Sequence, residues 1–506
     1  MKEKLYMGID LGTSFIKAAV YDLNGTKMAF HSEPVRDERP KPGMFIQHGE
    51  ALYQSVLNCV SKITGQLSDR AGDICAIAFT GQMAGCIGVD EKWEDVTTWS
   101  CSLDTRYMQY SSRQLEQFGE DFFNICGTNA PVMSAKYEWF AKEFPQEASQ
   151  IAKYVMLNGY VIGKLSGIPV GEAAIDYSLI TWTGFADIRK LSWSEKLCKE
   201  IGIDKQLLPL IRECTAIGGY LGAAAAEKTG LSVGIPLVLG AGDKVCGCIG
   251  AAVCQSGDMI FEASSYGAIS LRVDEVRLDR NRNYDVIGSE SSREFYAHKY
   301  IQGSGISIDW FVKEFCNQSR EGISPFKQAE QLAANIQPGS EKMLSLGLYS
   351  GSAMPFDASL RGLFMGHTWA HHTGHFYHSL LEGFSYDLAI TLDALQEQYP
   401  EYEKRTIKLI GGGAKSAIWP QMLSDVTGYN FAILDRDDTA LWGAALLAVK
   451  GAGDVQDIYT VAENCVKEQK WYKTNQANYK KYRPYVRFYE KMRREMHGYF
   501  EELNQL

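Results

Sequence analysis

The 506-residue sequence predicts an α/β protein assembled from two similar halves. Each half carries the same succession of short apolar strands, an amphipathic helix, a further apolar strand and a glycine turn. At roughly 150 residues per domain, the length fits three average domains or two large ones. Glycine is in excess, with 48 residues, above the usual fraction of about 7%. Only 14 prolines accompany them, so the glycines mark tight turns and close backbone approaches rather than low complexity.

In the first half, residues 5–9 read as a strand that runs into Asp10-Leu11-Gly12-Thr13. Residues 15–21 form a second strand ending at Asn24-Gly25, a strong hairpin signal, and residues 26–30 a third. A proline-bearing loop leads to a helical pattern over 50–67, then to an apolar strand over 74–79 that stops at Thr80-Gly81. In the second half, 258–263 and 267–273 read as paired strands and 295–300 as a third. A long helix over 376–395 follows, then a strand over 406–410 that ends in Gly411-Gly412-Gly413. Between the halves, residues 234–250 are rich in glycine and small side chains, the mark of a domain junction or hinge. Near the end, Tyr482, Val486, Tyr489, Arg493, Met496 and Phe500 recur at helical spacing, with Pro484 tolerable in a first turn. This helix is expected to pack its tyrosines on the body.

Charge narrows the function. The chain has 51 basic and 61 acidic residues, a net charge of −10, which argues against a general nucleic-acid or anionic-membrane binder. An anionic substrate stays open, because a few oriented amides and a metal ion can hold a phosphate locally. The 12 cysteines are scattered and form no CxxC pair; Cys246-Gly-Cys248 is too tight for a usual zinc site. They are expected to be reduced in a cytoplasmic protein. No apolar run approaches the roughly 18 residues of a membrane span, and Asp10 interrupts the first apolar stretch before it could serve as a leader.

Three turns could carry chemistry. Asp10-Leu11-Gly12-Thr13-Ser14 offers a carboxylate, amides and hydroxyls to a phosphate and its magnesium, although the same residues make a plain turn. Lys17 nearby reads as a solvent-facing strand lysine. Gly240-Ala241-Gly242-Asp243 pins a carboxylate at a strand end, where α/β proteins place catalytic groups; Asp243 could equally cap a helix. Gly411-Gly412-Gly413-Ala414-Lys415-Ser416 imitates a P-loop but has Ala414 where that loop needs glycine. Its bare backbone still suits a flat base or ribose.

In this order and spacing, the three turns resemble those of the FGGY carbohydrate kinases. Supporting stretches are Ala78-Phe79-Thr80-Gly81-Gln82-Met83, Leu103-Asp104-Thr105-Arg106, Pro338-Gly339-Ser340, Arg361-Gly362-Leu363-Phe364, Leu381-Glu382-Gly383 and Thr439-Ala440-Leu441-Trp442-Gly443. The resemblance, closest to the pentulose kinases, covers residues 8–451. It implies two actin-like (ribonuclease H-like) domains, 1–248 and 249–506, with a C-terminal helix from about 475 and a cleft that closes on substrates. Asp243 would be the general base. Asp10, with Asp243, would place Mg²⁺ through water. Gly12, Thr13, Ser14, Ser265 and Gly267 would hold ATP phosphates, and Gly411, Gly412, Gly413, Ala414 and Ser416 the adenosine. Gln82, Met83, Ala84, Asp104, Arg106 and Asp243 would meet the sugar. The implied partners are a small sugar and ATP, with no nucleic acid or membrane; a homodimer is an arrangement the resemblance allows.

Three positions depart from the family. Ala84 stands where xylulose kinases usually carry histidine. Ser264-Ser265-Tyr266-Gly267-Ala268 has alanine where a threonine is expected in the second phosphate loop. Ser352-Ala353 replaces the usual Glu-Arg pair. The expected activity is therefore phosphorylation of a ketopentose such as D-xylulose, with another ketose, a tetrulose or a glycerol-like polyol as alternative substrates. A sugar-binding regulatory pseudokinase is the rival outside catalysis. An actin- or chaperone-like ATPase is disfavoured by Gln82, Asp104 and Arg106. His371, His375 and His378 could share a helix face and bind zinc, but a structural role is expected, as it is for Cys246 and Cys248.

Overall fold

A computed structural model describes residues 3–316 and 323–506. Each half is built on a mixed sheet, and the repeat expected from the sequence is present strand for strand. In the first sheet, Leu5–Leu11 pairs antiparallel with Phe15–Tyr21, which pairs with Lys27–Pro34. On its other side Leu5–Leu11 runs parallel to Ile74–Gly81, followed by Pro236–Val238 and the antiparallel edge strand Ile217–Tyr220. In the second sheet, Met259–Glu262 pairs antiparallel with Gly267–Val273, and that strand with Phe295–Ile301. Parallel Ile407–Ile410 and Phe431–Leu434 follow on the far side, then antiparallel Glu468–Tyr472. One extra strand, Asp285–Gly288, covers Phe295–Ile301 in the second sheet.

The helices Gly49–Leu67 and Thr373–Gln398 occupy equivalent places in the two halves. The first buries Leu52, Val56, Val60, Ile63 and Leu67, a stripe at helical spacing that explains why this segment folds as a helix against the sheet. The second is buried along most of its length because the C-terminal helix covers it as well. There the tyrosines pack as expected: Tyr386 lies 5.7 Å from Tyr489 and 6.0 Å from Tyr482, ring centre to ring centre. The helix itself runs over Gln476–Leu503, so Pro484 lies inside it rather than in its first turn. The Asn475 side chain caps its start by accepting hydrogen bonds from the Ala477 and Asn478 amides.

The glycine-rich stretch between the halves is built into regular elements and is closely packed. It supplies the strand Pro236–Val238 and the helix Asp243–Gly250. The equivalent helix of the second half, Thr439–Gly451, packs on that helix and on the first sheet. A Cβ at Gly250 would stand 1.8 Å from the Thr439 carbonyl oxygen, and one at Gly443 1.9 Å from that of Cys246. Each glycine thus lets the other helix's backbone come close. Trp442, Leu446 and Val449 belong in consequence to the core of the first half, although they follow the second sheet in sequence.

Candidate active site

The turn after Pro236–Val238 carries Asp243 and is fixed from several sides. Gly240 has φ +74°, and a Cβ there would overlap the Phe79 carbonyl oxygen at 1.7 Å. The Gly240 amide donates to the Cys214 carbonyl (2.9 Å) and the Ala241 amide to that of Phe79 (3.1 Å). Met83 packs its side chain against Gly242, leaving no room for a Cβ. Gly242, not Asp243, is the N-cap of the helix Asp243–Gly250, and no side chain caps it. The cap role considered for Asp243 is therefore wrong. Its carboxylate, in the first helical turn, is left for other work.

Asp243 sits beside a half-buried cation. Lys244 Nζ lies 3.5 Å from Asp243 Oδ2 and 2.6 Å from Glu262 Oε2, at the end of Met259–Glu262. Burial pushes Asp243 above the usual carboxylate range; Lys244 pulls it back and Glu262 adds to the rise. Burial also opposes ionisation of Glu262, but Lys244 outweighs it and holds that carboxyl below its ordinary value. A carboxylate with a raised proton affinity is a better general base.

Asp10 lies opposite Lys17 in the first hairpin and beside Thr80 on the parallel strand. Burial lifts its pKa to about 6; Lys17, 3.6 Å away, counters this, and the Asp243 charge adds to the lift. Lys17 is thus more than a solvent-facing lysine: its charge reaches Asp10 and also Glu262 of the other half. Beyond Asp10, Gly12 and Thr13 are half-buried and Ser14 is exposed at the tip. The Thr13 carbonyl accepts from Gln47 Nε2 (2.8 Å) and that of Ser14 from the Val35 amide (2.9 Å), which leaves both hydroxyls free of this bracing.

Gln82 and Ala84 are half-buried on either side of Met83. Trp99 Nε1 donates to Gln82 Oε1 (3.3 Å), while Gln82 Nε2 is buried without a hydrogen-bond partner among the described residues. Asp104 is fully buried and bidentate to Arg106, with both N–O distances 2.8 Å, and it accepts from Ser100 Oγ at 2.7 Å. Burial opposes its charge, but the Arg106 and Ser100 hydrogen bonds hold it below the usual range. Asp104 therefore orients Arg106, which lies over the Trp139 ring. Beneath them Lys136 donates to Ser100 Oγ and the Cys101 carbonyl. Burial lowers its pKa to about 8.

The second half supplies the other wall. The turn at Ser264–Tyr266 is tied to the start of the helix Ser304–Phe315: the Gly305 and Ile306 amides donate to the Ser264 and Ser265 carbonyls at 3.1 and 3.2 Å. Ser265 is exposed, whereas Gly267 and Ala268 are buried in their strand. Gly411, at φ +91°, and Gly413 fold over Ala263, while Gly412 faces open space. Ala414 is buried. Ser416 Oγ donates to Glu330 Oε1 (2.5 Å) and accepts from the Trp419 amide (3.1 Å), so its hydroxyl is committed to the turn.

His371 precedes the helix Thr373–Gln398, so the three histidines do not share a helix face. His372 caps that helix, and His378 shares Ser340 Oγ with Glu382, whose other oxygen accepts from the Gly339 amide. The Pro338–Ser340 and Leu381–Gly383 stretches are thus one structural joint. Cys246 and Cys248 are buried; burial pushes Cys246 well up and Cys248 to about 12. Neither is poised as a nucleophile. Sequence reasoning missed Lys244, Glu262 and Lys136. Glu262 could have been found by overlaying the repeat, since it ends the strand equivalent to the one bearing Asp10.

Among the described residues, no three His, Cys, Asp or Glu side chains are grouped tightly enough to hold a metal by themselves. Asp10 and Asp243 are nonetheless hard oxygen donors, and the repulsion felt by Asp10 is one a cation relieves. That fits magnesium, which binds through one or two carboxylates, water and substrate phosphates.

Comparison with known proteins gives this arrangement its family. The N-terminal domain model of the FGGY carbohydrate kinases matches residues 5–250 and the C-terminal domain model residues 278–452. A xylulose kinase of Bacillus subtilis is 27% identical over 493 residues, covering 96% of both chains. A gluconokinase of the same organism is 26% identical over 90% of this chain and 89% of its own. An autoinducer-2 kinase of Klebsiella pneumoniae is 25% identical over 91% and 88%. The ligand-bound xylulose kinase of Lactobacillus acidophilus superposes with a TM-score of 0.90 at 22% identity, covering 99% of this chain and all of that one. The two sheets are accordingly the paired actin-like domains of that fold. This chain belongs to the FGGY family of carbohydrate kinases and is a carbohydrate kinase.

Proposed function

We propose that the enzyme transfers the γ-phosphoryl group of ATP to a hydroxyl of a small ketose, foremost a ketopentose such as D-xylulose. The observation that carries this reading is that Asp10 and Asp243 lie close enough for one charge to act on the other, while Gln82, whose amide donates to the Leu11 carbonyl next to Asp10, keeps a buried Nε2 without a partner among the described residues. Asp243 accepts the proton of the attacking hydroxyl. Gln82 and Arg106 orient the sugar beside Met83 and Ala84. Gly12, Thr13 and Ser14, with Ser265 and Gly267, face the phosphates, and Gly411–Gly413 with Ala414 seat the adenosine. Phosphoryl transfer needs positioning and charge neutralisation more than covalent help, and these residues supply both. Magnesium, when bound through Asp10 and Asp243, would neutralise phosphate charge. We divide the chain at 248/249, with the sugar and base on the first domain and the nucleotide on the second, and place the enzyme in the cytoplasm, where a homodimer is compatible with the fold. No described helix is long and apolar enough to cross a membrane.

Ala84 favours a second reading, in which the substrate is another ketose, a tetrulose or a polyol, because a small apolar side chain offers a sugar hydroxyl no partner. ADP release across pentuloses, hexuloses, tetruloses, polyols and gluconate tests both readings. The first expects D-xylulose at the head of the ranking. A panel with no turnover above the ATPase background sinks both and favours a regulatory sugar binder.

A further inference from the structure

Among the hydrogen bonds that hold the turn carrying Asp243, two are backbone to backbone: Gly240 to Cys214 and Ala241 to Phe79. Another is made by a side chain. Ser178 Oγ accepts the Gly242 amide hydrogen bond at 2.8 Å and donates its own hydrogen to Asp176 Oδ1. That oxygen also accepts from the Ser178 amide (3.0 Å) and from Cys214 Sγ (3.5 Å). Asp176 and Ser178 are 1% and 0% exposed. The strand Ala174–Asp176 is held in turn by parallel pairing with Leu210–Arg212, just ahead of Cys214.

We propose that Asp176 and Ser178 are positioning residues for the general base. Asp176 fixes the Ser178 hydroxyl so that its lone pair faces Gly242, and that bond sets the N-cap from which Asp243 projects. Met83 closes the turn from the opposite side. Neither residue touches substrate. Removing the hydroxyl leaves the Gly242 N–H buried without an acceptor, so the turn must shift to find one, and Asp243 shifts with it. Small misplacements of a reacting group are costly: about 1 Å can lower a rate some 10²-fold.

The inference rests on reading Asp243 as the base, and its test keeps the two apart. In Ser178→Ala, kcat for the best sugar should fall roughly 10- to 100-fold, with KM for ATP and for the sugar held within about threefold. Asp176→Ala should behave alike, because it frees the same hydroxyl, and it carries the test if Ser178→Ala does not fold. Asp176→Asn keeps an oxygen that accepts from Ser178 and should retain kcat within about threefold. The inference is overturned if both alanine variants keep near-parental kcat while their melting temperatures drop, for then the network only stabilises. It is overturned equally if Asp176→Asn is as slow as Asp176→Ala, or if ATP KM rises in step with the loss of kcat. If instead Asp243→Asn turns over normally, it is the assignment of the base that fails.

Discussion

The first hairpins of the two halves are built alike and used differently. In one, Asp10 stands near the end of Leu5–Leu11; in the other, Glu262 ends Met259–Glu262. Asp10 takes its cation from the adjacent strand, where Lys17 lies 3.6 Å away with its side chain 43% exposed. Glu262 takes Lys244 from the helix Asp243–Gly250, at 2.6 Å and 12% exposed. Lys17 also acts on Glu262, and Asp243 on Asp10, so the two carboxylates face one shared space. A duplicated strand–turn unit thus brings carboxylates from both halves into the field of the same two lysines, Lys17 and Lys244. The difference lies in the counter-charge: Asp10 keeps a raised proton affinity and is free for a metal, whereas Glu262 is neutralised by a lysine that also touches the base. The third strands differ too. Lys27–Pro34 is a largely exposed edge, whereas the added strand Asp285–Gly288 covers Phe295–Ile301 and buries His298.

The sharpest way to break this division of labour is Asp243→Asn. The amide keeps the size of the carboxylate but cannot take the proton, so kcat should fall by about 10²–10⁴-fold, while sugar binding and melting temperature stay near parental. Asp10→Asn should instead weaken the use of Mg-ATP, a defect that excess magnesium partly relieves. Both carboxylates can meet the metal but only Asp243 takes the proton, so if excess magnesium restores Asp243→Asn as fully as Asp10→Asn, the assignment of the base to Asp243 is wrong.

Much of this was legible in the residues. Periodicity marks the first three strands of each half and the strand after each long helix, because burial on one face leaves a period that survives in sequence; it does not mark the short strands Ile217–Tyr220, Asp285–Gly288, Phe431–Leu434 and Glu468–Tyr472. Asp10 and Asp243 were visible because glycines bracket carboxylates at strand ends. What stayed hidden depends on partners distant in sequence. Lys244 acquires its role from Glu262, Lys136 from Ser100, and Thr439–Gly451 joins the first core through the Gly250–Gly443 crossing and its packing on the first sheet. Residues 234–250 show the same dependence: glycine permits both flexing and close packing, and the backbone that closes on Gly240 and Gly250 comes from segments distant in sequence.

Lys244→Gln tests the counter-charge. It leaves Glu262 without its cation in a mostly buried setting. Loss of a hydrogen bond to a charged group costs about 1.5–3 kcal/mol, which urea unfolding at neutral pH should read. A cost below about 0.5 kcal/mol would mean that water already solvates Glu262, and that the pair owes little to its burial.

The covered third strand predicts acid sensitivity. Burial lowers the His298 pKa from 6.5 to about 3, with the Lys244 charge adding to the fall. A folded-state value below the unfolded one gives stability that is complete above pH 6.5 and lost as pH falls towards 3. By pH 5 the unfolded chain binds the proton and the folded chain does not, a difference of roughly 2 kcal/mol. His298→Gln should remove that part of the acid slope between pH 7 and 5. Identical slopes in parent and variant would show that His298 is solvated when folded.

The smallest effect is expected at the exposed end of the comparison. Lys17 is nearly half exposed and its contact with Asp10 is long, so solvent and salt screen the pair. Exposed ion pairs contribute about 0–1 kcal/mol, and Lys17→Gln should cost no more than that in urea unfolding. Whatever cost appears should shrink about threefold in 1 M salt, where the Debye length of about 3 Å is shorter than the contact. The Lys244→Gln cost should largely persist there, because a buried pair is screened much less. Equal salt sensitivity of the two variants would show that Lys17 and Lys244 see the same dielectric, and the contrast between the two hairpins would then lie in geometry alone.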